Sequence, residues 1–325
     1  MTKILVVGGA GYIGSHMADL LVKKSYQTTV LDNLSTGYRD SVLDAEFVLG
    51  DLSNTVFLND LFQRYSFDAV MHFSSFIQVG ESVIHPAKYY QNNVVNTLNL
   101  LNAMVLHDVK RFIFSSSAAV YGNPRYTPID EKHPCEPINP YGKSKWMVEQ
   151  ILEDYEKAYG LHSVSLRYFN AAGADPEGRL GERHNPETHL IPLLLQTASG
   201  RREVFNLYGT DYETKDGTCI RDYIHVCDLV QAHLLALQYL KDKQQSAAFN
   251  LGNGEGFSVR EVIDVAEQVV GKKLPIKTTA RRLGDAAVLV ADSSRAKRDL
   301  KWKPKYSDLK TIIQHAWLWE QQCSA

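Results

Sequence analysis

The chain has 325 residues, 44% hydrophobic and 22% charged, enough apolar material for one large α/β domain with additions or for two modest domains. A formal net charge of -2 gives no electrostatic basis for a nucleic-acid or anionic-membrane partner. No stretch reaches the roughly 18 apolar residues of a membrane span. Cys135, Cys219, Cys227 and Cys323 form no C-x-x-C pair and no metal-ligand spacing, so free thiols in a reducing cytoplasm are expected.

The first apolar run, "KILVV" (3–7), is strand-like and ends at Gly8, too short for a secretory core. After it, "VVGGAGYIGS" sets Gly8, Gly11 and Gly14 at the start of an amphipathic helix. That context suits a dinucleotide: a tight turn, close backbone approach to a pyrophosphate, and a helix N-terminus aimed at its charge. "TTVLD" (28–32) is the second strand, and Asp32 closes it 18 residues after Gly14, where a carboxylate accepts hydrogen bonds from ribose hydroxyls. A carboxylate there repels a 2′-phosphate, which favours NAD over NADP, with Arg39 the one nearby base pointing the other way.

"AEFVLG" (45–50), "DAVMHF" (68–73) and "RFIFSS" (111–116) continue the strands, with a long helical pattern over 86–107 between the last two. A helix over about 141–159 and a strand "HSVSLRYF" (162–169) follow. This alternation predicts a doubly wound parallel Rossmann-type α/β sheet over 1–170. From about 171 the texture turns to Gly- and Pro-rich loop and then to irregular helices and strands, predicting a smaller mixed α/β domain over 171–325. "DYIHVCDLVQAHLLALQYL" (222–240) reads as a strand running into a helix that returns to the first domain.

Tyr-x-x-x-Lys occurs three times, as Tyr141/Lys145, Tyr239/Lys243 and Tyr306/Lys310. Only the first lies near a cofactor loop and after a serine-ended strand, "FIFSSSAAVYG", in which Ser117 is placed to share a hydrogen bond with a substrate and the tyrosine. Pro140 marks the start of the helix, and four residues put Lys145 on the same face as Tyr141. A tyrosine acting as base at neutral pH needs roughly three units of pKa depression, about 4 kcal/mol. A nearby ammonium and an oxidised nicotinamide ring supply it together. Tyr239 reads as packing in an apolar helix, and Tyr306 as solvated.

Taken together, "GGAGYIGS", "LDNLSTG", "FSSSAAVYG", "YGKSK", "LRYFN" and "GTCIRDYIHV" resemble the extended short-chain dehydrogenase/reductase family, and within it the UDP-glucose 4-epimerase branch, from Lys3 to about 304. The resemblance implies an isomerase that interconverts UDP-galactose and UDP-glucose through a 4-keto sugar, with tightly bound NAD and as a homodimer. By the same resemblance Tyr141 is the base, Lys145 tunes it and orients the nicotinamide ribose, and Ser117 assists at the hydroxyl. It further assigns NAD contacts to Gly11, Tyr12, Ile13, Asp32, Asn33, Asp51, Leu52, Phe73, Asn93 and Phe169. UDP-sugar contacts fall on Asn170, Leu190, Tyr208, Arg221, Arg282 and Asp285, which makes 171–325 the UDP-sugar-binding domain. Two arginines suit a pyrophosphate, Asp285 or Asn170 suits hydroxyls, and Tyr208 offers an aromatic face to uracil.

The chain departs from the family pattern at three places. Ile77, in "FSSFI", stands where a lysine often meets the cofactor; His189, in "PETHLIP", stands where asparagine often meets the nucleotide; and Leu289 stands where the residue size gates room for an N-acetyl group. Sister 4,6-dehydratases carry an Asp-Glu pair before "VYG", but here the positions are Ala118 and Ala119, whose methyl groups transfer no protons. Epimerases of UDP-N-acetylglucosamine, UDP-glucuronate or UDP-pentoses stay open on this reading, as does, remotely, an NAD-binding sensor without catalysis.

Overall fold

The computed structural model describes residues 1–282 and 286–324. Its N-terminal half runs β1 (Lys3–Val7), α1 (Tyr12–Lys23), β2 (Gln27–Asp32), β3 (Glu46–Leu49), α2 (Thr55–Arg64) and β4 (Ala69–His72). Two short helices, α3 (Val79–Ile84) and α4 (Pro86–Tyr90), lead through a π-helical turn (Gln91–Val95) into α5 (Asn96–Leu106). Then come β5 (Arg111–Ser117), α6 (Pro140–Tyr159), β6 (His162–Tyr168) and β7 (Asn170–Ala172). The remainder is α7 (Leu190–Ser199), β8 (Phe205–Tyr208), β9 (Ile220–His225), α8 (Val226–Lys243), β10 (Ala247–Leu251), β11 (Gly256–Ser258) and α9 (Val259–Val270). It closes with β12 (Ile276–Thr279), β13 (Val288–Leu289), α10 (Ser294–Asp299) and α11 (Leu309–Ser324).

Seven strands form one parallel sheet in the order β10-β6-β5-β4-β1-β2-β3. The chain starts at β1 and winds outward in both directions, so the strand order reverses between β1 and β4, where such sheets open a ligand crevice at their carboxyl ends. "KILVV" is continuously apolar because both faces of the sheet are covered. Ile4 and Val6 join the core under α1 and α8, while Leu5 and Val7 join the one under α2, α5 and α6.

A second body packs α7, α9 and α11 around their own core. Its strands β7, β9, β11 and β13 form a small sheet, and β8 pairs with β12. A boundary at 170 understates how often the chain crosses between the two bodies. Besides α8, whose Leu229, Ala236 and Leu237 are buried against the main sheet, β10 supplies that sheet's edge strand. Ala296, Leu300 and Trp302 return to the same core, and the Trp302 indole donates to the Asp228 carbonyl at 2.9 Å. The helix expected over 86–107 is interrupted by the π-helical turn, a feature that often accompanies functional sites.

Among the described residues, all four cysteines are free and no helix is long and apolar enough to cross a membrane. The other two Tyr-x-x-x-Lys pairs do not converge on the crevice. Tyr239 packs edge-on against Phe249, as expected. Tyr306 is half-buried: it lies before α11, its ring 4.7 Å from His225 and 5.4 Å from His315.

Candidate active site

The crevice begins at the β1–α1 turn. A Cβ on Gly14 would meet the Gly8 carbonyl oxygen at 2.2 Å, so the turn closes only with glycine there. Gly11 caps α1 without a side-chain hydrogen bond, which leaves the first helical N–H groups available to an anion. Ile13 packs its side chain into the core, and the Tyr12 hydroxyl donates to Gly173 O at 2.6 Å, tying this turn to the second body.

Asp32 lies across the crevice, its oxygens accepting from Ala10 N (2.9 Å) and Leu34 N (2.8 Å). Burial raises its pKa and these backbone donors oppose the rise. Asn33 donates to Asp51 at 2.5 Å, and both line the same crevice with Gly8, Gly11, Leu52 and Phe73. Asn93 is different. Its amide accepts from Phe76 N (2.9 Å) and donates to Phe76 O (3.0 Å) and Ser144 Oγ (3.1 Å), so it braces the crevice wall from the π-helical turn behind it.

The reactive cluster is set by how α6 starts. Asn139 accepts from Gly142 N at 2.9 Å, Pro140 takes the first helical position, and Gly142 lets the helix press onto Ala119, whose carbonyl oxygen a Cβ would meet at 2.4 Å. This approach carries Tyr141 to the end of β5, beside Ser117. Ser117 Oγ accepts from Ala119 N at 3.2 Å, which leaves its own proton free to donate. Burial raises the Tyr141 pKa, and the neighbouring Ser117 hydroxyl opposes the rise.

Lys145 follows one turn later, 2% exposed, with Nζ 5.9 Å from the Tyr141 ring centre. It donates to Ser75 Oγ at 2.7 Å and to the Ser115 carbonyl at 2.8 Å. Burial pulls its pKa down to about 7, opposed by the Glu149 carboxylate. Glu149 in turn is held by Arg167, through Nε at 3.0 and 3.1 Å and Nη2 at 2.5 Å, and by Ser116 Oγ at 2.5 Å. Arg167 passes on to the Tyr121 hydroxyl (3.0 Å), which donates to Asn250 (2.7 Å), linking α6, β5, β6 and β10 beneath the cluster. Sequence reasoning missed Ser75, Glu149 and Arg167. For the last two the signal was a glutamate one turn after Lys145 and an arginine inside an otherwise apolar strand.

On the opposite side, Ala118, Phe169 and Leu289 share one apolar cluster, which puts Leu289 at the same end as Ser117. Leu289 pairs beside Arg221, whose guanidinium donates to Ala286 O at 2.8 Å. Arg282 stacks 4.1 Å from the Tyr208 ring centre, Leu190 opens α7, and Asn170 pairs with Tyr223. Asp285 lies outside the described residues. Ile77 is 36% exposed, and the His189 ring is engaged with Glu182.

The family model described as GDP-mannose 4,6 dehydratase matches residues 5–315. A UDP-glucose 4-epimerase of Halalkalibacterium halodurans is 51% identical over 319 residues, 98% of this chain and 96% of that protein. The chain belongs to the extended short-chain dehydrogenase/reductase family. Among solved members of this family, a UDP-glucose 4-epimerase from Brucella ovis in complex with NAD superposes with a TM-score of 0.95 at 50% identity, covering 98% of each chain. The UDP-Glc/GlcNAc 4-epimerase of Campylobacter jejuni superposes with a TM-score of 0.87 at 45% identity, covering 99% of this chain and 100% of that one. The reductase-type fold and the Ser-Tyr-Lys arrangement thus occur together in a chain whose alanines at 118 and 119 lack the acid–base groups that dehydration requires.

Proposed function

We propose that this chain interconverts UDP-galactose and UDP-glucose at C4 of the hexose. The observation that carries the reading is the convergence of Ser117, Tyr141 and Lys145 at the carboxyl end of β5, beside the crevice built on the β1–α1 turn. The closed glycine turn and the uncapped start of α1 fit NAD, with Asp32 toward the adenosine ribose and Asn33, Asp51, Leu52, Phe73 and Phe169 along the crevice. NAD supplies hydride acceptance at C4 and hydride return to either face of the resulting 4-keto sugar.

The chain's own residues manage the proton. Tyr141 Oη removes it from the 4-hydroxyl as the C4 hydride leaves, and restores it when the hydride returns. Ser117 donates to the phenolate that takes this proton. Since burial alone raises Tyr141, its lowering depends on positive charge brought beside it: protonated Lys145, and the nicotinamide ring of bound cofactor. The second body holds the nucleotide, with Arg221 and Arg282 at the pyrophosphate, Tyr208 at the uracil, and Leu190, Asn170 and Asp285 nearby.

We also assign a homodimer in the cytoplasm. Val83 and Ile84 on α3, Val95 in the π-helical turn and Met147 on α6 are exposed apolar residues on mutually packed elements, suited to burial against a second copy. Sedimentation of a monomer at micromolar concentration would remove that assignment.

Proton NMR of the purified chain with UDP-galactose, adding no cofactor, tests the main reading. The UDP-glucose anomeric signal should appear; no change even after added NAD would overturn the substrate. A second reading, 4-epimerisation of UDP-N-acetylglucosamine, is favoured by Leu289, smaller than a tyrosine and set at the sugar end. UDP-N-acetylgalactosamine in the same experiment decides it.

A further inference from the structure

The loop between β7 and α7 carries a cluster that the reaction does not use. Glu182, His184, Glu187 and His189 bring one ligand atom each within 4.8 Å of one another. His184 Nδ1 lies 3.2 Å from Glu182 Oε1 and 3.6 Å from Glu187 Oε2, and His189 Nδ1 lies 3.8 Å from Glu187 Oε1. Four donors about 2.0–2.1 Å from a tetrahedral Zn2+ stand about 3.3 Å apart, close to the His184 separations, whereas the direct hydrogen bond between His189 and Glu182 would open to admit the cation. Both carboxylates are deeply buried, the Glu187 side chain only 4% exposed. His184 Nδ1 and Glu187 Oε2 face each other at ion-pair range inside the cluster, with no contact among the described residues closer than the 3.2 Å from His184 to Glu182.

We propose that these four residues bind one divalent cation of the Zn2+ class, as a structural staple directly before Leu190 at the nucleotide-holding body. Two imidazoles and two carboxylates match the donors Zn2+ accepts, whereas Mg2+ and Ca2+ favour all-oxygen sets. The site would pin a loop on which three regions meet. The Glu182 carbonyl accepts from the Trp319 indole of α11 at 2.9 Å. Arg183 pairs with Asp40 and stacks 3.6 Å from the Tyr38 ring centre, reaching the segment after β2. His189 directly precedes α7, so the cation also anchors the start of that helix.

The test loads the full-length chain with Zn2+ alone, dialyses it against metal-free buffer and measures retained zinc by mass spectrometry. About one Zn2+ per chain is expected, with retention at least about tenfold lower in His184→Ala and in Glu187→Gln. Co2+ in the wild-type chain should give the intense visible bands of a tetrahedral site, bleached by added Zn2+; this readout needs no variant to fold. Wild-type chain that retains no stoichiometric zinc and gives only the weak spectrum of hydrated Co2+ overturns the proposal, leaving a metal-free imidazolium–carboxylate cluster. Full retention in both variants overturns it equally, by placing the zinc elsewhere.

Discussion

The two sides of the crevice are built on different principles. On the side of β1, α1 and β2, shape comes from the backbone: a turn closed by contact between Gly14 and the Gly8 carbonyl, a helix start left uncapped, and a carboxylate held by main-chain donors. On the side of β8, β9 and β13, the proposed nucleotide contacts are long side chains, Tyr208, Arg221 and Arg282, carried on short strands and loops from distant parts of the chain. The reactive cluster lies between them and borrows from both: a glycine-permitted close approach sets Tyr141, and a buried ionic network lies beneath Lys145. Backbone-made sites tolerate little substitution but need few residues. Side-chain-made sites can be retuned singly, which suits the part of a site that selects among substrates.

That contrast can be broken at several points, and the largest effect belongs to the reactive cluster. Tyr141→Phe should lower turnover by about 10³-fold while cofactor and nucleotide still bind, measured by NMR turnover against bound-cofactor absorbance. Unchanged turnover would remove Tyr141 from the chemistry. Glu149→Gln strands Arg167 inside the protein, and urea denaturation should report a loss of about 3–5 kcal/mol, since breaking one partner of a buried pair leaves an uncompensated charge. A loss below ~1 kcal/mol would mean the network is not what holds β5, β6 and α6 together.

Gly14→Ala probes the backbone-made side. Forcing a methyl against the Gly8 carbonyl should cost about 1–3 kcal/mol and reduce NAD retention after gel filtration about 10- to 100-fold. Lys145 gives a pH signature. Its pKa is pulled to about 7 by burial, against about 10.4 in an unfolded chain, so between those values the unfolded state binds more protons and stability of the cofactor-free protein rises with pH. Below about 7 both states hold the proton and that contribution flattens. Lys145→Met should abolish the rise, as followed by denaturation midpoints from pH 7 to pH 10. The smallest effect is expected on the side-chain-made end: Leu289→Cys should shift the kcat/KM ratio for N-acetylated over plain UDP-hexose by about tenfold. A ratio that does not move would show that the gate lies elsewhere.

How much was legible follows the same division. β1, β2, β5 and β6, the glycine turn, Asp32 and the pairing of Tyr141 with Lys145 are local: they depend on strand-length apolar runs, on spacing along a helix, and on residues within a few positions of each other. Asn93 was found by resemblance, but its bracing of Phe76 and Ser144 was not, because that depends on a π-helical turn that no periodicity announces. Ser75 went unread because the stretch around it drew notice only for the missing lysine at Ile77. Glu149 and Arg167 are 18 residues apart and acquire meaning only when α6 is laid against β6.

By itself, then, the order of residues determined the sheet's parallel winding and the dinucleotide-type turn, and it singled out Tyr141 over Tyr239 and Tyr306 as the candidate base. Those are properties of short segments, whose conformations follow from sterics and side-chain periodicity. The tertiary structure decided that β10, α8 and Trp302 complete the first body, that Leu289 stands beside Ala118 and Phe169, and that four ligating side chains of one loop meet. Each depends on which buried surfaces pair between segments far apart in the chain or on the path a loop takes between fixed ends, and both are settled by packing the whole chain at once.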